Sequence, residues 1–244
     1  MATVAIYSLK GGVGKTTFSI NLAWAAAAIS KRRTLIWDLD PQAASTYIMA
    51  DGPAADGPAQ AIFARNVDAK AMVRPSHVAG VDLLAADTSL RGLDHFFFEL
   101  GKKRRLEKLL GGLSRHYDRI ILDCPPGLTP TSEQVLRAAD LVIVPVIPSP
   151  LSQRALVDVV DFLARQKGRH APILPVYSMV DRRRSLHRAA LVEKSDWPVI
   201  PMASAVEQMS VKKAPLGQFE PHCPAAKSFT RLWTGIERKL RMAA

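Results

Sequence analysis

Short runs of β-branched and aliphatic residues alternate along the chain with longer stretches whose apolar positions recur every three or four residues. Val4–Tyr7, Thr34–Trp37, Val81–Leu84, Arg119–Leu122, Leu141–Val144 and Ile173–Val180 read as strands. Several are almost continuously apolar, the pattern of parallel strands covered on both faces. Between them, Thr16–Ser30, Lys103–Leu110, Gln153–Gln166, Leu186–Lys194 and Ala225–Met242 carry helical spacing. This alternation predicts an α/β fold, a doubly wound, mostly parallel sheet with helices on both faces. Ligands on such sheets sit beyond the carboxyl ends of the strands, so the residues that follow each strand are the first functional candidates. No change of composition marks a boundary, and residues 1–244 read as a single domain. Ala-Asp-Gly-Pro-Ala occurs twice within Ala50–Ala59, and its Gly-Pro content makes that segment a surface loop.

Composition narrows the class. Hydrophobic residues make up 48% and charged residues 23%, which argues against disorder. Leu22–Ile29, the longest apolar stretch, has eight residues, far short of the roughly 20 that span a bilayer. No secretory leader is visible at the start, so a cytoplasmic protein is expected. Cys124 and Cys223 make neither a disulfide framework nor a zinc spacing, and Cys124 reads as a small buried hydrophobe. The net charge of +11 points to a polyanionic partner, either nucleic acid or an anionic surface.

The first strand runs into Leu9-Lys10-Gly11-Gly12-Val13-Gly14-Lys15-Thr16-Thr17 and then a helical run. Leu9 stands where the strict phosphate-loop pattern has glycine, but Gly14-Lys15-Thr16 is intact between a strand and a helix. Gly11, Gly12 and Gly14 let backbone N–H groups wrap phosphate oxygens, and the positive end of the helix adds to that field. Lys15 is suited to neutralise the β- and γ-phosphates, and the Thr16 hydroxyl to bind Mg²⁺. ATP and Mg²⁺ are therefore the expected cofactors. Arg119–Asp123 is a strand ending in an acid, the layout that holds the water shell of such a metal, and Gly127 lies where an amide could approach the γ-phosphate.

Lys10–Thr17 resembles the Lys-Gly-Gly-x-Gly-Lys-Thr-Thr signature of the ParA/MinD family of deviant Walker ATPases. The resemblance implies a P-loop NTPase in which Lys10 reaches across an ATP-dependent nucleotide-sandwich homodimer to the partner's phosphates. Asp38-Leu39-Asp40-Pro41-Gln42 is similar to the family's segment after its second strand, although Ala43-Ala44 replaces the usual Gly-Asn. By that resemblance Asp40 orients the attacking water, close to the metal held by Thr16 and Asp123, and Asp38 supports the site. A plain helix-capping role is the alternative for Asp40. Val176–Asp181 is similar to the strand leading to the adenine pocket, with Ser178 in place of the usual Asn, and Pro201 and Met202 fall where the family wraps the base. Asp-Pro-Gln favours the small, Soj-like ParA branch without a separate DNA-reading domain. Its expected partners are non-specific DNA and a ParB-like protein that stimulates slow hydrolysis, with the ATP-bound form on the nucleoid and no stable membrane association.

Arg182, Arg183, Arg184, Lys212, Lys213, Lys227 and Arg231 are the candidate phosphate-contacting residues, and solvated charge is the alternative for each run. Lys102–Arg105 is a further basic run. No base-reading motif is visible, so the contacts would be sequence-independent. Phe229, Leu232, Trp233, Ile236 and Leu240 share one face of the last helix, which is read as docking on the core in preference to a MinD-like membrane anchor. The cysteine spacing excludes an iron–sulfur relative. A synthetase of the cobyrinic acid diamide or dethiobiotin type remains the enzymatic alternative on the same loop.

Overall fold

The computed structural model describes residues 1–52, 57–63, 68–100, 104–165 and 170–242. Eight strands form one sheet in the order β3-β4-β2-β5-β1-β6-β7-β8. They are β1 (Ala2–Ile6), β2 (Thr34–Asp38), β3 (Arg74–Pro75), β4 (Val81–Leu84), β5 (Arg119–Asp123), β6 (Leu141–Val146), β7 (Ile173–Val180) and β8 (Val199–Pro201). All neighbours pair in parallel except the two-residue edge strand β3. The helices are α1 (Lys15–Ala28), α2 (Ala44–Met49), α3 (Leu93–Leu100), α4 (Arg105–Leu113), α5 (Pro130–Ala138), α6 (Pro150–Arg165), α7 (Ser185–Glu193), α8 (Ser204–Lys212), α9 (Leu216–Phe219) and α10 (Pro224–Met242).

Period-2 side chains put a separate core on each face of the sheet. Along β1 and the residue after it, Val4 and Ile6 join one core with α1 and α10, whereas Ala5 and Tyr7 join the other with α4, α5 and α6. The expected doubly wound arrangement is the observed one. All six expected strands are present, and β3 and β8 add short edges. Of the expected helices, α6 starts at Pro150, and residues 102, 103 and 166 lie outside the described residues. The helices α2, α3, α5, α8 and α9 were not anticipated. They are short and take their stability from what they dock on, which leaves a weak periodic signal. For α5 a signal existed: Thr129 caps the helix, Pro130 opens it, and Ser132 Oγ accepts from Thr129 N–H at 2.8 Å.

The apolar face of α10 lies in the core. Phe229, Leu232, Trp233 and Ile236 are buried, Trp233 Nε1 donates to Ser30 Oγ at 2.9 Å, and Phe229 meets Phe18 edge-on. Among the described residues no helix is long and apolar enough to cross a membrane. A buried ion cluster pins the far end of α10. Glu237 accepts from Arg119 Nε at 2.8 Å, Arg32 Nη2 at 2.6 Å and Arg241 Nε at 3.0 Å. Burial alone would raise the Glu237 carboxyl, but the three arginines together hold it below its ordinary range.

Ala43, at the head of α2, has φ 53°, a left-handed conformation that costs a non-glycine residue about 1–2 kcal/mol. Ala43→Gly is therefore expected to raise unfolding free energy, by up to about 1 kcal/mol in urea melts once the added freedom of the unfolded chain is counted. Glu237→Ala leaves Arg119 buried without its partner and is expected to cost about 3–5 kcal/mol in the same assay. An unchanged midpoint would show that the cluster holds nothing.

Candidate functional site

Parallel pairing brings the carboxyl ends of β1, β2, β5, β6 and β7 to one edge of the sheet. Residues 8–14 connect β1 to α1 there. Gly12 and Gly14 have φ 72° and 94°, so both occupy the left-handed region open to glycine. A Cβ on Gly14 would lie 3.3 Å from Ser178 Oγ, a tight contact that Ser178 would have to yield to. Gly11 and Gly12 are exposed, and the loop presents its backbone outward at the head of α1.

Lys15 opens α1 and is buried, with Nζ donating to the Lys10 carbonyl at 3.3 Å. Burial lowers the pKa of this ammonium, and the charges of Asp123 and Asp40 oppose that effect. The Lys10 ammonium goes elsewhere: its Nζ donates to Ser152 Oγ at 3.4 Å, at the head of α6. The two signature lysines therefore diverge, one over the loop and the other, half-buried, onto Ser152 of α6.

Asp123, the last residue of β5, is fully enclosed. Its Oδ2 accepts from Thr16 Oγ1 at 2.9 Å and Ser45 Oγ at 2.5 Å, and its Oδ1 from Ser19 Oγ at 3.0 Å. Burial raises its pKa despite these three donors. Asp38 pairs with Asp123 in strand register and is equally buried. Burial, and then the charge of Asp123, push Asp38 up to about 8, against donation from Thr46 N and Thr46 Oγ1 at 2.8 Å each. Asp40 is half-buried beyond the strand. Its N–H donates to Asp38 Oδ1 at 3.1 Å and its Oδ1 accepts from Gln42 N–H at 2.9 Å, a turn contact rather than a helix cap. Ser19 and Ser45 carry no motif of their own in the sequence. Ser19 lies one helical turn beyond Lys15, a spacing that could have flagged it.

Thr16 thus bonds Asp123, and the charge of Asp40 acts on both Asp123 and Lys15. Among the described residues no three His, Cys, Asp or Glu side chains form a closed metal site. That suits Mg²⁺, which keeps water and phosphate oxygens as most of its ligands. Two adjacent carboxyls, both raised by burial, and a buried lysine that donates to a backbone carbonyl form a site whose charges a metal–phosphate group would balance. Gly127 has φ 96° and its carbonyl accepts from Tyr7 OH at 2.9 Å, which ties the turn after β5 to the end of β1. Tyr7 is pushed up to about 12 by burial and stays protonated as that donor.

Beside the loop, Gly14, Thr17, Ser178, Pro201 and Met202 line a cavity of about 130 Å³ together with Phe18 and Phe229. Ser178 is buried, and its hydroxyl donates to the Val13 carbonyl at 2.8 Å. It supports the phosphate loop instead of offering a free polar edge. Cys124 is buried as a small hydrophobe, and burial raises its thiol far above the usual range.

The basic candidates do not form one surface. Arg182, Arg183 and Arg184 follow β7 at the carboxyl edge, where Asp181 holds Arg183 through two contacts of 2.9 Å. Lys212 and Lys213 end α8, and Lys213 Nζ lies 4.6 Å from the centroid of the Tyr47 ring on α2. Lys227 is exposed near the start of α10. Arg231 lies beside Leu141 and Ile173, the first residues of β6 and β7. The eight residues of β7 span about 23 Å, so Arg231 is near the opposite end of the sheet from Arg182.

A carboxyl that stays protonated in the folded chain favours folding at low pH. For Asp38 that stability is complete below the unfolded value of about 4 and is lost as pH rises through about 8. In EDTA the unfolding free energy is expected to fall between these limits by up to about 1.4 kcal/mol per pH unit, and Asp38→Asn should flatten the slope. Urea melts across the pH range measure it, and equal slopes in both proteins would refute the buried, protonated Asp38.

The AAA domain family matches residues 1–174 of the chain. The chromosome partitioning protein ParA of Caulobacter vibrioides is 29% identical over 265 residues, covering 95% of this chain and 92% of that one. The sporulation initiation inhibitor protein Soj of Bacillus subtilis is 34% identical over 145 residues, 59% of this chain and 57% of that protein. Among solved structures, apo McdA of Cyanothece superposes with a TM-score of 0.83 at 20% identity, covering 96% of this chain and 98% of that one. Cobyrinic acid a,c-diamide synthase of Mycobacterium smegmatis, with bound ADP and magnesium, gives 0.82 at 23% identity over 100% of this chain and 96% of that one. These structural likenesses speak to the fold. With the phosphate loop, the buried Asp123 and the second lysine in place, the chain belongs to the ParA/MinD family of deviant Walker ATPases.

Proposed function

We propose that the protein is a ParA-type positioning ATPase. ATP binding drives homodimerisation, the dimer binds DNA without sequence preference, and a ParB-like partner stimulates slow hydrolysis and release. The observation that carries this reading is the divergence of the two lysines. Lys15 donates to its own loop, while the half-buried Lys10 rests against the buried Ser152 of α6, from which its long side chain could swing to a second protomer's phosphates.

The site residues fit a nucleoside triphosphate with Mg²⁺, which supplies charge neutralisation on the phosphates when bound. Backbone N–H groups of residues 11–16 and the Lys15 ammonium hold the phosphates. Thr16 and Asp123 hold the metal's ligand shell, and Asp40 orients the attacking water. Ser178, Pro201 and Met202 bound the base pocket. On this reading Arg182, Arg184, Lys212, Lys213 and Lys227 contact DNA phosphates, and the ATP-bound dimer resides on the nucleoid. ParA proteins among the relatives and the +11 charge support DNA as the partner. A synthetase reading draws only on the fold shared with the cobyrinic acid enzyme. A MinD-like anchor would need the apolar stripe that α10 commits to the core.

Lys10→Ala should keep ATP binding but lose ATP-triggered dimerisation, with Asp40→Ala trapping the dimer in the otherwise native chain. Gel filtration and equilibrium dialysis distinguish the two effects. DNA affinity of the trapped dimer should fall with salt with a log–log slope of about −0.9 per phosphate contact. A chain that remains monomeric with ATP in every variant removes the proposal.

A further inference from the structure

A groove of about 540 Å³ lies between α10 and the amino-terminal ends of β6, β7 and β8, at the opposite end of the sheet from the phosphate loop. Leu141, Leu174 and Val199 form its sheet side, and Leu232 and Leu240 its helix side. Arg231, Arg238 and Lys239 stand on the rim, all three exposed, and none forms an ion pair among the described residues. Asp140 also lines the groove, its Oδ2 accepting from Thr3 N–H at 2.8 Å, so one carboxylate faces three cations and the rim stays net cationic. An apolar floor under an unpaired cationic rim complements an apolar group that carries negative charge.

Gly235 gives a second and independent observation. It sits inside α10, where glycine weakens a helix relative to alanine. Its φ is not in the left-handed region, so its backbone does not demand glycine. It lines the groove, and a Cβ built on it would meet no atom within 4 Å. The space that a side chain would fill is the groove itself.

We propose that this groove receives a linear segment of a partner protein, with aliphatic side chains on the floor and carboxylates against Arg231, Arg238 and Lys239. The volume lies within the ~300–1,000 Å³ of small-ligand clefts, which suits a few side chains and not a folded domain. Duplex DNA offers phosphates to the rim but nothing apolar for the floor. A bilayer surface does not enter a concavity. The site is remote from the nucleotide loop, so the assignment stands whether or not the ATPase reading does.

The test uses the full chain with labelled Leu, Ile and Val methyl groups, titrated with a short synthetic peptide of glutamate and leucine. Its lysine–leucine counterpart, decanoate and duplex DNA are the comparison probes. The acidic peptide should shift the Leu174, Val199, Leu232 and Leu240 methyl signals saturably, and more weakly as salt rises. Gly235→Leu should plug the groove and reduce affinity at least tenfold while the melting temperature holds or rises and ATP binding is unchanged. Arg238→Glu combined with Lys239→Glu should reduce it roughly tenfold, since each exposed pair contributes modestly and reversal turns attraction into repulsion. Equal shifts with the lysine peptide, shifts at these methyls with decanoate or DNA but not with the acidic peptide, no shift at all, or wild-type binding by Gly235→Leu would each overturn the assignment.

Discussion

The carboxylate of Asp123 is the fixed point of the molecule. It ends the strand between β1 and β2 and receives hydroxyl donors from Thr16 and Ser19 on α1 and Ser45 on α2. A carboxyl group enclosed this completely is tolerated only if its oxygens are bonded. That requirement locks both helices to the tip of β5. The phosphate loop ahead of α1 and the Asp38–Asp40 turn ahead of α2 are consequently placed by one side chain. Thr16 and Ser45 share Oδ2 of Asp123 while Ser19 alone bonds Oδ1, and α2 also bonds Asp38 through Thr46. The same short helix carries Tyr47, whose ring lies 4.6 Å from Lys213 Nζ.

Charge is distributed less simply than a net +11 suggests. Arg32, Arg119 and Arg241 converge on Glu237 and are structural, because they hold the far end of α10 against the sheet. Arg183 is held by Asp181, and Arg188 donates to the carbonyls of Arg182 and Arg183, which orders the arginine turn after β7. Two groups of exposed cations, Arg182 with Arg184 and Arg231 with Arg238 and Lys239, lie at opposite ends of the strands. One borders the nucleotide edge, and the other rims an apolar groove. Different surroundings give them different uses: cations over polar, exposed backbone suit phosphates, whereas cations over aliphatic side chains suit an anion that brings an apolar body with it.

Much of this architecture was legible in the linear chain. Parallel central strands are covered on both faces, so β1, β2, β5 and β6 appear as continuous apolar runs that need no partner to be recognised. Phosphate-loop chemistry is equally local, since glycines, lysine and threonine act within one turn and their spacing carries the geometry. Asp38, Asp40 and Asp123 were legible because each ends or closely follows a strand. Ser19 and Ser45 were not, because a serine has no signature until a distant carboxylate is brought to it. The short helices α2, α3 and α8 were hidden for a related reason, as docking rather than propensity makes them helical.

The chain by itself thus determined the alternation of strands and helices, the phosphate loop and the acids that follow β2 and β5, all features encoded within a few consecutive residues. Only the tertiary structure decided which arginines are buried in ion pairs and which stay at the surface, that Ser178 supports the loop, and that Gly235 opens onto a groove. Those outcomes depend on residues far apart in sequence meeting at specific distances, and hydrophobic patterning carries no information about such meetings.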